Sequence, residues 1–146
     1  MPPKLKPKYN SVVKVLWPNF AKRNGVCVVI AQDFQTKQIL MQGYVDEAGY
    51  RETLKTGEAV YYSTSRKRRW KKGETSGDIQ IVHNILIDCD GDSLIYLVDQ
   101  KGKGACHTHA KSCFYRDYRK NYSEKISDGE SEKLSQEDCE VHPRLT

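Results

Sequence analysis

The sequence contains no uninterrupted apolar stretch approaching the roughly 20 residues that a membrane-spanning helix requires. Its opening residues, Met1-Pro2-Pro3-Lys4-Leu5-Lys6-Pro7-Lys8, lack the apolar segment of a secretory signal. A soluble, cytoplasmic protein is the expectation. There is no internal repeat and no Cys-x-x-Cys pair. The five cysteines are an odd number. Three of them sit among Asp and His rather than at the spacings of a disulfide framework, which favours thiolate ligands in a reducing compartment. At 146 residues the chain can bury one core with little room for a second, so a single domain with tails is expected.

Charge is unevenly spread. From Asn121 onward there are seven acidic and three basic residues, a net of −4, which against the whole chain's +5 leaves residues 1–120 at +9. A basic body favours anionic partners, phosphate esters or nucleic acid among them. Residues 1–15, rich in proline and lysine, read as a mobile lead-in, and 119–146 as a polar, acidic, disordered tail in which Cys139 is a bystander. The body is then 16–118.

The most informative stretch runs from Asp88 to Cys113: Asp88-Cys89-Asp90-Gly91-Asp92, an apolar run, Cys106-His107-Thr108-His109, then Ser112-Cys113. Thiolates and imidazoles suit Zn²⁺, whereas carboxylates suit harder cations such as Mg²⁺. If residues 88–90 are extended, Asp88 and Asp90 project from one face and Cys89 from the other. A soft zinc site and a hard magnesium site on opposite faces of one backbone would follow. A hairpin of 79–88 with 93–100 could carry Cys106 and Cys113 toward Cys89. Three thiolates leave a fourth zinc position open for an attacking water. A calcium loop of the EF-hand kind fits poorly, because Ser93 stands where its glycine belongs and Asp99 where its bidentate glutamate belongs.

Around that stretch the pattern is mainly β. Leu16, Trp17 and Phe20 suggest a first anchored turn. Residues 26–31 and 38–41 read as a hairpin, with Cys27 in the core. Asp46 can cap a helix that Gly57 ends. Ala59–Tyr62 reads as a strand, and Ile79, Ile81, Ile85 and Ile87 as one face of another that His83 interrupts without being a ligand. Residues 94–98, apolar on both sides, suggest a strand buried on both faces. Lys101–Gly104 is a turn, and Cys113–Tyr115 a short closing strand.

Between 62 and 78 lies a long polar loop whose Ser63, Thr64, Ser65, Arg66, Trp70, Lys72, Gly73, Glu74, Ser76 and Gly77 are candidate ligand contacts. Hydroxyls and guanidinium groups suit phosphate, and glycine lets backbone amides approach. Composition leaves three readings open: a small phosphorylated ligand, nucleic acid bound through Arg66, Arg68, Arg69 and Trp70, or a solvated surface.

Five ordered motifs tie these pieces together. They are Met41-Gln42-Gly43-Tyr44, Gly57 to Arg66, Trp70 to Gly77, Asp88 to Asp92, and Ala105-Cys106-His107-Thr108 with Ser112 to Arg116. Over about 38–116 the chain resembles phosphoribosyl-AMP cyclohydrolase, an enzyme family of histidine biosynthesis. The resemblance implies Mg²⁺ at Asp88, Asp90 and Asp92, and Zn²⁺ at Cys89, Cys106 and Cys113. It also implies an α+β, mainly β pseudobarrel with short flanking helices, forming an intertwined homodimer whose zinc ligands are shared across the interface. The implied reaction is opening of the adenine N1–C6 bond of phosphoribosyl-AMP by a zinc-activated water, with His107 as general acid or base or as a further zinc ligand. The different-class alternative is a zinc-stabilised nucleic-acid-binding module using loop 66–72. Three carboxylates beside the zinc disfavour it, since they repel a polyanion. Two departures stand out: His109 where the family usually has glycine, and Thr64 where it usually has arginine. The chain is too short for the second domain of the family's bifunctional relatives.

Overall fold

The computed structural model describes residues 16–119. The lead-in at 1–15 and, past Arg119, the acidic tail with Cys139 lie outside the described residues. One compact unit ends at Cys113 and a second starts at Phe114; the fold is that of the first.

Strand β1 (Val26–Asp33) turns back into β2 (Ile39–Asp46). The Asp33 carboxylate closes the turn by accepting from the amides of Gln35 (2.9 Å) and Thr36 (2.8 Å), a local bond that Asp makes readily. β2 runs five residues past the expected Met41. Helix α1 (Glu47–Thr56) then begins where expected: the Asp46 side chain accepts from the Gly49 amide, and Gly57, at φ 75°, ends it by donating to Thr53 O. Next come β3 (Val60–Ser63), β4 (Arg68–Lys71), β5 (Gln80–Ile87) and β6 (Ser93–Gln100). The main sheet has the order β2-β1-β6-β5, with β1 and β6 parallel and the outer pairs antiparallel; β3 and β4 form a separate two-stranded sheet. This is α+β and mainly β, as expected.

The core lies on one face of the sheet. Cys27, Val29 and Ala31 from β1 and Leu94, Tyr96 and Val98 from β6 are buried against Leu40, Val45 and Tyr50. Strict alternation continues on the other face, where Val28, Ile30, Ile95 and Leu97 are half-buried and Ile39, Tyr44 and Leu86 exposed. β6 is therefore buried on one face in a single chain, not on both as its composition suggested.

Tyr61 holds the β3–β4 pair to the main sheet. Its ring stacks on Trp70 (centroids 5.1 Å apart), its hydroxyl donates to Gln80 Oε1 at 2.5 Å, and Gln80 in turn donates to Gln100 at 2.8 Å. A buried polar network of this kind is stable because each member finds a partner. Thr53 does the same for α1: its hydroxyl donates to Gly49 O and accepts from the Val60 amide, each at 3.0 Å.

Four expectations are corrected. Inside the supposed loop, residues 68–71 form β4, because Trp70 lies opposite Tyr61 and stacks on it. His83 sits at a register shift between Val82 and Asn84. The extra residue switches the phase, so Gln80 and Val82 share the core side with Ile85 and Ile87, while Ile79 and Ile81 do not. His83 itself is exposed and stacks on Phe34 at 3.9 Å. No strand forms at 113–115 among the described residues: Cys113 donates one backbone bond to Leu40 O (2.7 Å), and the Ser112 hydroxyl takes Ile39 O (2.7 Å) in place of a ladder. Leu16 is 67 % exposed, so the N-terminal anchor is Trp17 and Phe20, packed on Tyr50 at 5.1 and 5.8 Å.

Gly43 is where the Tyr61 ring passes closest to β2. A Cβ there would lie 2.8 Å from Tyr61 Cδ1. Gly43→Ala should therefore destabilise the fold by about 1–3 kcal/mol in urea denaturation, through overpacking. Wild-type stability in that variant would show that the ring is not seated there.

Candidate functional site

Two clusters stand at opposite ends of β6. The first is the turn joining β5 to β6. Asp88 Oδ1 accepts from the amides of Asp92 (3.0 Å) and Ser93 (3.2 Å), and Gly91 turns the chain at φ 80°. Asp88, Asp90 and Asp92 thereby bring one carboxylate oxygen each within 4.8 Å of one another. The turn gathers them, rather than the strand alternation expected from sequence. Asp92 is buried, and its Oδ2 accepts from Arg23 Nε at 2.7 Å. Lys22 pairs with Asp90 and lies 3.7 Å from Asp92. The Lys22 ammonium, followed by hydrogen bonding with Asp88 and Asp92, holds the Asp90 carboxyl well below the usual range. Three hard oxygen donors from three carboxylates fit Mg²⁺ better than a thiophilic ion.

The second cluster follows β6. Residues 105–111 close on themselves through Ala105 N–H to Lys111 O (3.1 Å), Cys106 N–H to Ala110 O (3.2 Å) and His109 N–H to Cys106 O (3.0 Å). This closure places the Cys106 and Cys113 thiols close enough for each to shift the ionisation of the other. The Thr108 hydroxyl donates to Cys106 Sγ at 3.0 Å. Burial opposes ionisation of Cys106, but the Thr108 hydroxyl and amide together with Cys113 outweigh it and lower its pKa. Cys113 moves the other way, to about 11, first from the protein packed around it and then from the neighbouring Cys106. Lys72 is only 9 % exposed; burial lowers its pKa against the pull of Asp78, Cys113 and Cys106. The paired sulfurs fit a thiophilic ion such as Zn²⁺, which needs further ligands to complete four.

Cys89 is exposed in the acidic turn, and it forms no three-residue ligand group with Cys106 and Cys113 among the described residues. The hairpin does the opposite of what sequence suggested. Eight residues of β6 separate its two ends by about 25 Å. Cys89 precedes its start, whereas the Cys113 backbone is bonded to Leu40, beside the part of β1 that pairs with Leu97, so the thiol loop lies toward the other end. His107 is exposed in the thiol loop beside Cys106.

Loop 63–77 is partly spoken for. Arg69 pairs with Asp46 at 3.0 Å and Lys71 pairs with Glu58. Among the described residues Arg66 and Arg68 make no ion pair, and they stand exposed with Thr64 and Ser65 at the hairpin tip, where Ser63 Oγ accepts from the Arg66 amide at 3.2 Å. Trp70 lines a shallow cleft of about 180 Å³ with Glu52, Val60, Arg69, Lys71 and Glu74. Gly73 is obligatory, since a Cβ would sit 2.3 Å from Ile79 N. The Ser76 hydroxyl accepts from the Asp78 amide at 3.2 Å, and Gly77 turns at φ 79° with open space around it.

Sequence reasoning did not find the roles of Lys22, Arg23 and Thr108. A hydroxyl two residues after a cysteine is a readable signal for the last. The basic pair touches the acidic turn only through the tertiary fold.

With this geometry in place, comparison with known proteins is decisive. The family model described as Phosphoribosyl-AMP cyclohydrolase matches residues 41–115, half of the chain, and spans both clusters. The chain belongs to the phosphoribosyl-AMP cyclohydrolase family. Similar proteins include the phosphoribosyl-AMP cyclohydrolases of Desulforapulum autotrophicum, 50 % identical over 67 % of this chain and 78 % of the relative, and of Archaeoglobus fulgidus, 58 % identical over 63 % and 84 %. The histidine biosynthesis bifunctional protein HisIE of Aquifex aeolicus is 50 % identical over 69 % of this chain but only 49 % of its own length. Among the described residues of this cyclohydrolase-family chain, no helix is long and apolar enough to cross a membrane.

His109 adopts φ 68°, a left-handed conformation that disfavours side chains and suits glycine. His109→Gly should gain about 0.5–1 kcal/mol in thermal or urea unfolding, as relief of strain exceeds the entropy added to the unfolded chain. A loss of stability would mean that the imidazole makes compensating contacts.

Proposed function

We propose that the chain opens the adenine ring of phosphoribosyl-AMP by hydrolysing its N1–C6 bond, yielding the phosphoribosyl-formimino aminoimidazole carboxamide intermediate of histidine biosynthesis in the cytoplasm. The observation that carries this reading is that the matched family segment holds a thiol loop and a carboxylate turn, each with a donor set suited to a different metal.

Cys106, Cys113 and Cys89 would hold Zn²⁺, and Asp88, Asp90 and Asp92 would hold Mg²⁺. When bound, zinc supplies the Lewis acidity that makes water nucleophilic at neutral pH. Adenine C6 accepts the water oxygen, the N1–C6 bond breaks, and a proton passes to N1. His107, exposed beside Cys106, would carry that proton. Thr108 fixes the Cys106 sulfur, and Lys72 adds a buried positive charge beside both thiols. Arg66, with Ser63, Thr64 and Ser65, offers cationic and hydroxyl donors for a substrate phosphate; the Gly73–Gly77 turn with Glu74 and Ser76, closed by Gly77 N–H to Gly73 O, would contact the substrate from the other end of the β3–β4 pair, and magnesium would offset the phosphate charge.

The working unit of this reading is an intertwined homodimer of pseudobarrel subunits. Two observations support it: Cys89 lies a strand's length from the other thiols, and the outer face of the main sheet offers Val28, Ile30, Ile95 and Leu97 with exposed Ile39, Tyr44 and Leu86, an apolar surface of the kind that marks association. Nucleic-acid binding by loop 66–72 is weakened, because Arg69 is committed to Asp46 and one face of Trp70 to Tyr61.

Ultraviolet absorbance of zinc-loaded protein mixed with phosphoribosyl-AMP and Mg²⁺ should show ring opening. Cys106→Ala should lose bound zinc and the spectral change together. His107→Ala should keep its zinc yet turn over about 10²- to 10⁴-fold more slowly, the usual worth of a positioned acid–base group. Near-normal turnover in His107→Ala removes its assigned role, and no spectral change in the zinc-loaded wild type sinks the cyclohydrolase reading.

A further inference from the structure

Lys22 and Arg23 end the 3₁₀ turn Phe20–Arg23, outside the family-matched span, and both reach the acidic turn. The backbone fixes them there, with Asn19 N–H donating to Gly91 O at 2.7 Å. The two cations are not equivalent. Arg23 bonds to Asp92, whose side chain is 3 % exposed, whereas Lys22 and Asp90 are 41 % and 48 % exposed. A buried carboxylate stripped of its partner is costly, so the Arg23–Asp92 pair is the fixed one. The Lys22–Asp90 pair lies in water, where such pairs exchange at little cost. Charge counting agrees: Arg23 offsets one of the three carboxylates and leaves two, the charge that one dication balances.

We propose that Lys22 is a displaceable stand-in for a hard divalent cation at this turn: its ammonium and the ion compete for Asp90, so binding exchanges Lys22 for the metal while Arg23 stays. The proposal rests on the reading of Asp88, Asp90 and Asp92 as a hard-cation site. Lys22 then sets the affinity of that site from outside it, because each ion bound must displace an existing carboxylate–ammonium contact. It also keeps the turn charge-compensated when no ion is present.

The test is Mn²⁺ binding to the zinc-loaded full-length protein, read from the paramagnetic resonance of free Mn²⁺. Lys22→Met should bind about fivefold more tightly than wild type, the scale expected for releasing one solvent-exposed pair. Lys22→Arg, which keeps the charge, should stay within about twofold, and Asp90→Asn should bind far more weakly. A second readout is independent of affinity. The ¹³C signal of reductively methylated Lys22, assigned by its loss in Lys22→Arg, should shift as Mg²⁺ is added. Unchanged or weaker Mn²⁺ binding by Lys22→Met overturns the exchange, and so does a Lys22 signal indifferent to Mg²⁺. Failure of both wild type and Lys22→Met to bind Mn²⁺ at millimolar concentration overturns the hard-cation reading itself, and the proposal with it.

Discussion

The length of β6 is the constraint on which the site depends. Hydrogen-bonded to β1 on one side and β5 on the other, it is, with β1, one of the two interior strands of the main sheet. A strand held on both edges does not bend to bring its ends together. The acidic turn at its start and the thiol loop after its end are therefore kept apart by about 25 Å over eight residues. Hard and soft donors, which a short sequence places almost side by side, become two separate sites in one chain. If the thiols of both ends serve one zinc, only a second chain can join them.

Packing around that strand explains what holds each cluster in shape. At the acidic end, Asp92 is buried against Arg23, and the backbone amides of Asp92 and Ser93 tie Asp88 down. At the thiol end, Gln100, whose Oε1 accepts from the Gln80 that binds Tyr61, donates through Nε2 to Asp78 O at 2.9 Å, while the Asp78 carboxylate accepts from the Lys103 amide. That chain of bonds runs from the core to the segment beside Lys72. The Lys72 ammonium is buried and feels both thiols, where a solvent-facing lysine would be screened.

Much of this was legible from local chemistry. Asp46 and Gly57 mark the ends of α1 because capping depends on residues that adjoin the helix. The hairpins, and Cys27 as a core residue, follow from alternation and turn residues. Failures came where distant contacts decide. β4, Arg68–Lys71, carries three cations and resembles a loop until Trp70 stacks on Tyr61. The bulge at His83 reverses the face of Ile79 and Ile81, which no periodic reading detects. The hairpin of 79–88 with 93–100 was legible, but the extended reading of residues 88–90 was not met, because Gly91 and the Asp88 carboxylate draw them into the turn. The donor types were readable from sequence; the separation of Cys89 from Cys106 and Cys113 within the chain was not.

The most direct test of this account mixes two inactive proteins. Cys89→Ala and Cys106→Ala variants, unfolded together, refolded and reloaded with zinc, would on the proposed homodimer form a population containing mixed dimers. In a mixed dimer one site has Cys89 from the second protomer and Cys106 with Cys113 from the first, so it is intact. The account predicts that ring-opening activity, absent from either variant alone, returns in the mixture. A mixture that contains mixed dimers by native mass spectrometry yet stays inactive would contradict a site shared between chains.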